Sequence, residues 1–124
     1  VSAVRTVTVH TVDHGPVTIP EPSWCRGKHA SEAYREDIEH QGDEFRAWVP
    51  TACHGDVTAL AMALVQRPFS PSERRTMAAV YVDGEWHEFD GSGLRFVAES
   101  VWRFAMDVMP QLAALVDKSN GVIR

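Results

Sequence analysis

The sequence predicts an α+β domain: an antiparallel sheet of about five strands with a C-terminal helix packed on one face. Three observations carry that expectation. Short alternating, β-branched runs recur through the first 90 residues, Asp83-Gly84 sits between two of them, and one long stretch of apolar residues at three-to-four spacing closes the chain.

Taken in order, residues 4–11 alternate Val7 and Val9 against Thr6, Thr8 and His10, the pattern of a half-buried strand. A turn at 13–16 and a return through Val17-Thr-Ile19 make residues 1–20 a β-hairpin, ended by prolines 20 and 22, which cannot donate to a ladder. Residues 21–55 read as loops and short strands. Residues 30–36 suit a helical turn or a loop, 37–40 a short extended piece, and 45–49 a strand stopped at Pro50. Residues 57–90 form a β-meander. In it, 57–66 is ambiguous: its composition favours a helix, while Ala59, Ala61 and Ala63 alternate with Leu60, Met62 and Leu64 as in a buried strand. The pair 77–82 and 85–89 around Asp83-Gly84 has the signature of a type I′ hairpin. Residues 92–117 form the helix, with Ser92 as a candidate cap and Leu94, Val97, Val101, Ala105, Val108, Leu112 and Leu115 along one face. Pro110 lacks an amide proton, so the helix is expected to kink or split over 106–110, and 118–124 to fray.

With 124 residues, 44% apolar and 23% charged, the chain fits a single domain, 1–124, that buries its own core. No apolar run approaches membrane-spanning length, and the first residues lack a signal-peptide pattern, so the expected location is cytoplasmic. The net charge of −5 argues against nonspecific nucleic-acid binding. Two cysteines in such a chain suggest thiols or ligands rather than a disulfide.

The least ordinary stretch is Pro22-Ser-Trp-Cys-Arg-Gly-Lys-His29. Thiolate and imidazole are the donors that zinc prefers. Cys25, His29 and His40 would supply three, and Cys53, from the turn-like segment 50–55, the fourth. His54 or a water are the other candidates for that place; a water would make the site open and catalytic. Trp24 reads as packing beside this loop. His10, His14 and His87 read as solvated, as do the carboxylates Asp37, Glu39, Asp43 and Glu44 near His40. Cys53 and His54 are adjacent on an extended segment and point apart, which suits them poorly to a nucleophile–base pair.

The order of hairpin, Pro22-x-Trp24-Cys25-x3-His29, a later His40, meander and terminal helix resembles a family of small actinobacterial proteins built on a domain of unknown function. The resemblance implies a strand at 57–66 and a ligand role for Cys25, His29 and His40. It implies no activity.

Three functional readings follow. The first is a non-enzymatic accessory or regulatory protein held by structural zinc and acting through protein–protein contact. The second is an enzyme with an open metal site on Cys25, His29 and His40, served by a nearby carboxylate. The third is a nucleic-acid module with Arg26 and Lys28 on phosphate, which the acidic balance disfavours. Both faces of 77–82 are apolar, and Phe96, Trp102, Phe104 and Met109 spread around the helix, so a homodimer is an expected partner arrangement.

Overall fold

The computed structural model describes residues 5–122. Two compact units divide the chain, residues 1–90 and 91–124. The first contains two antiparallel sheets and the second is helical, so the fold is α+β.

The small sheet pairs β1 (Thr6–Thr11) with β2 (Gly15–Pro20). Its alternation is real: Val9 and Ile19 turn inward and, with Ile38, form a buried cluster edged by Val7, Val17 and Phe69. Each fully buried aliphatic side chain of this kind contributes about 1.5–3 kcal/mol.

The larger sheet is organised on β5 (Asp56–Gln66), an 11-residue strand, which settles the ambiguity at 57–66 in favour of strand. β6 (Met77–Val82) pairs along one of its edges. Along the other lie β3 (His40–Gln41) and β4 (Phe45–Pro50), which are two pieces of one interrupted line. β7 (Glu85–Phe89) follows β6 through Asp83 and Gly84, whose φ angles of 53° and 79° are those of the expected type I′ turn. Ala61, Ala63, Val65, Ala78, Ala79 and Val80 are buried in this sheet. A single 3₁₀ turn, Arg35–Asp37, precedes β3.

The helical unit runs α1 (Gly91–Arg103), a π-helical turn (Phe104–Val108) and α2 (Met109–Val122). The interruption, Phe104–Val108, overlaps the stretch 106–110 expected from Pro110 and begins two residues before it, with Pro110 itself inside α2. Met109 donates its amide to the Phe104 carbonyl five residues back, a wider loop that accommodates a helix with a missing donor at 110. The helix begins one residue before Ser92, which makes Ser92 a first-turn residue rather than a cap. It also continues through 118–122, where fraying is expected from sequence, because the last turn needs only helical backbone and donors to the preceding turn. Among the described residues, no helix is long and apolar enough to cross a membrane.

Candidate metal centre

Three chain segments meet at one point in the first unit. Glu21 follows directly on β2, its amide donating to the Arg5 carbonyl at 2.7 Å. The chain then turns, with the Cys25 amide on the Pro22 carbonyl at 3.0 Å, and Cys25 makes an isolated antiparallel bridge with Gly42. The Arg26 amide donates to the Gln41 carbonyl at 2.9 Å, which lays the Cys25 loop along the outer edge of β3. Arg5 adds a guanidinium donor to the Cys25 carbonyl at 2.9 Å. The Gly42 amide reaches the Leu64 carbonyl at 2.9 Å, tying this edge to β5.

Gly42 is required by close approach. A Cβ there would stand 3.3 Å from the Trp24 carbonyl oxygen and 3.4 Å from the Trp24 ring. Trp24 also meets His40 edge-on, with ring centres 6.4 Å apart. It is the packing residue of the loop, as its sequence setting suggests.

This weave brings Glu21, Cys25, His29 and His40 together, one donor atom from each lying within 4.8 Å of every other. One carboxylate oxygen, Glu21 Oε1, is 2.8 Å from His29 Nε2 and 2.9 Å from His40 Nδ1. The Cys25 sulfur is 3.9 Å from the same His29 Nε2 and accepts the Gly27 amide at 3.4 Å. The two imidazoles are nearly perpendicular, centres 5.4 Å apart. All four are enclosed: Cys25 is 5% exposed, and the side chains of His29, His40 and Glu21 are 7%, 2% and 3% exposed.

Electrostatics follow from that enclosure. Burial alone would raise the Glu21 pKa, but hydrogen bonds from Cys25, His29 and His40 together outweigh it and hold the carboxyl below its ordinary value. Burial, reinforced by the hydrogen bond to Glu21, pushes the Cys25 thiol up, against smaller opposing contributions from the Gly27 and Gln41 amides. Cys25 therefore stays a thiol at neutral pH unless a cation displaces its proton.

The donor set suits a divalent ion. Oxygen, sulfur and two ring nitrogens are all zinc ligands, and bonds of about 2.0–2.3 Å put tetrahedral donors roughly 3.3–3.7 Å apart. The observed separations of 2.8, 2.9 and 3.9 Å bracket that spacing. His29 Nδ1 is buried and has no hydrogen-bond partner. A thiol nucleophile fits less well. A relay uses the two ring nitrogens of a histidine for two partners, whereas Cys25 and Glu21 both approach Nε2.

The structure thus brings together three of the four residues expected as ligands and puts Glu21, not Cys53, beside them. Cys53 is exposed. It lies in the tip joining β4 and β5, where Pro50 pairs with Asp56. Gly42 bonds to Leu64 and Pro50 pairs with Asp56, eight residues apart on β5, so that tip is roughly 25 Å along the strand from Gly42. The tip is also self-contained. Thr51 closes it, donating its hydroxyl to the Gly55 carbonyl at 2.7 Å and accepting the His54 amide at 2.9 Å. The first hairpin does the same with Thr11, Gly15 and His14, at 2.7 and 2.9 Å. Thr-x-x-His-Gly, at 11–15 and again at 51–55, is a turn sequence; His54 serves it through its backbone, and Cys53 is one of its variable places.

A small α+β protein with a buried sulfur, nitrogen and oxygen donor cluster is the class that fold and site define. Residues 6–117 match the family described as a domain of unknown function, DUF6907, and the chain belongs to that family. No curated protein and no solved structure matches the chain.

Proposed function

We propose that the protein is a non-enzymatic, cytoplasmic accessory factor in which Glu21, Cys25, His29 and His40 hold one structural zinc ion. The observation that carries the reading is the enclosure of four convergent donors of zinc-binding type, with no side chain more than 7% exposed. Four protein donors close a tetrahedron and leave no place for substrate. The ion fastens the end of β2, the Cys25 loop and β3 to one another. Function then falls to the surface, as contact with another protein or a second copy. Every residue of β4 is exposed, Phe45 and Trp48 included, and Phe96, Trp102 and Phe104 are exposed on the helical unit.

Elemental analysis of tag-free protein tests the ion: about one zinc per chain supports the reading, and no metal sinks it. The cobalt-substituted protein should show thiolate-to-metal charge transfer that disappears in Cys25→Ser. Light scattering tests self-association, with a single-chain mass at every concentration arguing against a second copy.

One observation favours the enzyme reading as the alternative. A cavity of about 380 Å³ between Ile19–Pro22, Pro68 and Phe69 is bordered by Glu21 and His40. A carboxylate that swung toward it would open the fourth place to water. A cobalt spectrum of five-coordinate character, sensitive to added small anions, would support that reading over the closed site.

A further inference from the structure

A second cavity, of about 270 Å³, lies over the larger sheet, lined by none of the four cluster residues. Its floor is made of small residues. Ala63 on β5 faces Ala79 on β6 across the ladder, with Val65 beside them, and all three are buried. Cross-strand partners share a face, so Glu88, opposite Ala79, rises from the same side, as does Trp86, opposite Tyr81. Trp86 forms a wall at the β7 edge and is 46% exposed. Gly42, Gln41 and Arg26 form the facing wall at the β3 edge. Alanines at the centre of a sheet flanked by large side chains leave a trough that leucine or valine would fill.

The charges around this trough decide what it takes. Arg67 is held by two carboxylates, Glu39 at 2.8 Å and Glu88 at 2.9 Å. Glu44 is matched by Arg46 at 2.8 Å. Arg26 is the exception. Its guanidinium meets only the neutral side-chain oxygen of Gln41, at 3.2 Å, and has no carboxylate partner among the described residues. Its position is nonetheless defined, because its backbone is hydrogen-bonded to Gln41 and the preceding residue bridges to Gly42. The trough therefore presents one guanidinium without a carboxylate partner at one wall, an indole at the other and an apolar floor between, while Glu39 and Glu88 together exceed Arg67 by one negative charge.

We propose that this trough binds a small planar organic anion, its carboxylate on Arg26 and its flat apolar body over Ala63 and Ala79 against Trp86. A guanidinium fork pairs with a carboxylate in two parallel hydrogen bonds, and an indole face stacks on a flat ring. Ligand pockets generally span about 300–1,000 Å³, so a cavity just below that range suits one or two rings rather than a large cofactor. None of the four donors lines the trough, and Arg26 is placed by its own backbone hydrogen bond to Gln41.

The test uses the whole protein, with zinc content measured separately, and 2-naphthoate as the probe in an NMR titration. The expected result is saturable shifts of the Trp86 indole N–H, assigned through Trp86→Phe, and of the Arg26 amide. Arg26→Gln should weaken the affinity about tenfold. Ala79→Leu should abolish binding with zinc content unchanged. Arg26→Gln lies on the surface and keeps the test decisive if Ala79→Leu fails to fold. The neutral 2-naphthamide should bind more weakly, and 1-naphthylmethylamine, a cation, not at all. Equal binding of the amine, an Arg26→Gln variant with unchanged affinity, or no shift at Trp86 with millimolar naphthoate would each overturn the proposal.

Discussion

Two short segments of this protein carry a cysteine and a histidine beside a proline, and their fates are opposite. In residues 21–29, Cys25 and His29 are drawn inward to Glu21 and His40. In residues 50–55, Cys53 and His54 stand at the tip of a hairpin, in solvent. Residue type does not separate them; hydrogen bonding of the backbone does. The first segment is laid along a sheet edge by its pairing with Gln41 and Gly42, whereas the second satisfies its own backbone through Thr51 and touches no core. A donor joins the cluster when the chain around it is tied to something else.

The sharpest way to break that contrast is to remove a donor on each side. His40→Ala takes one hydrogen-bond partner from the buried Glu21 carboxylate, and leaving a buried polar group with a partner missing costs about 1–3 kcal/mol, more when the group is charged. Cys53→Ser, on the surface, should stay within about 0.5 kcal/mol of the parent. Urea unfolding measures both, and comparable losses would show that the two segments do not differ as described.

Thiol labelling reads the same contrast kinetically. Cys53 should react with a maleimide at the rate of a free thiol. Cys25 has to wait for local opening, and a protection of about a hundredfold would correspond to an opening cost of about 3 kcal/mol. Equal rates would count against enclosure of the cluster.

A smaller effect is expected at the seam. Gly42→Ala places a methyl 3.3 Å from the Trp24 carbonyl oxygen, a backbone atom that cannot swing aside. Overpacking of this kind costs roughly 1–3 kcal/mol. On the proposed metal reading it should also lower zinc occupancy, because it separates Cys25 from its bridge partner; full occupancy with undiminished stability would argue that the bridge does not position the four donors.

The smallest effect concerns the first Thr-x-x-His-Gly turn, which differs from its twin in being anchored. Asp13 accepts the Arg35 amide at 2.9 Å, and that bond, with a contribution from His14 smaller than the opposing effect of desolvation, holds its carboxyl below the ordinary value of 3.8. A depressed carboxyl stabilises the fold above its unfolded pKa and ceases to do so as pH falls through the native one. The anchor should therefore hold above about pH 4 and loosen below 3.8. The Arg35 amide resonance reports it, and no shift in that range would mean that the contact is absent in solution.

Much of the fold was legible because its signals are local. Asp83-Gly84 needs only its neighbours to specify a turn, and Pro110 removes a helical donor whatever surrounds it. Strand 57–66 was harder, since its alanines and leucines suit either structure, and only pairing on both edges decides. Three members of the donor cluster were legible by element preference. Glu21 was not, because a carboxylate between two prolines resembles any loop acid, although it stands four residues before Cys25 as Cys25 stands four before His29. Cys53 matches a tetrahedral site by residue type alone, whereas the repeated Thr-x-x-His-Gly sequence marks its segment as a turn.

The long strand at the middle of the larger sheet bears on how the protein opens. β3, β4 and β6 all pair with β5 directly, while the first hairpin forms a sheet of its own. Freeing β5 means breaking three ladders at once, so its amides should exchange with solvent deuterium only through global unfolding. The β1–β2 amides can open in a smaller excursion and should exchange sooner. The molecule then has a fast-breathing end and a slow one, and Glu21, directly after β2, and His40, at the start of β3, lie on either side of that boundary.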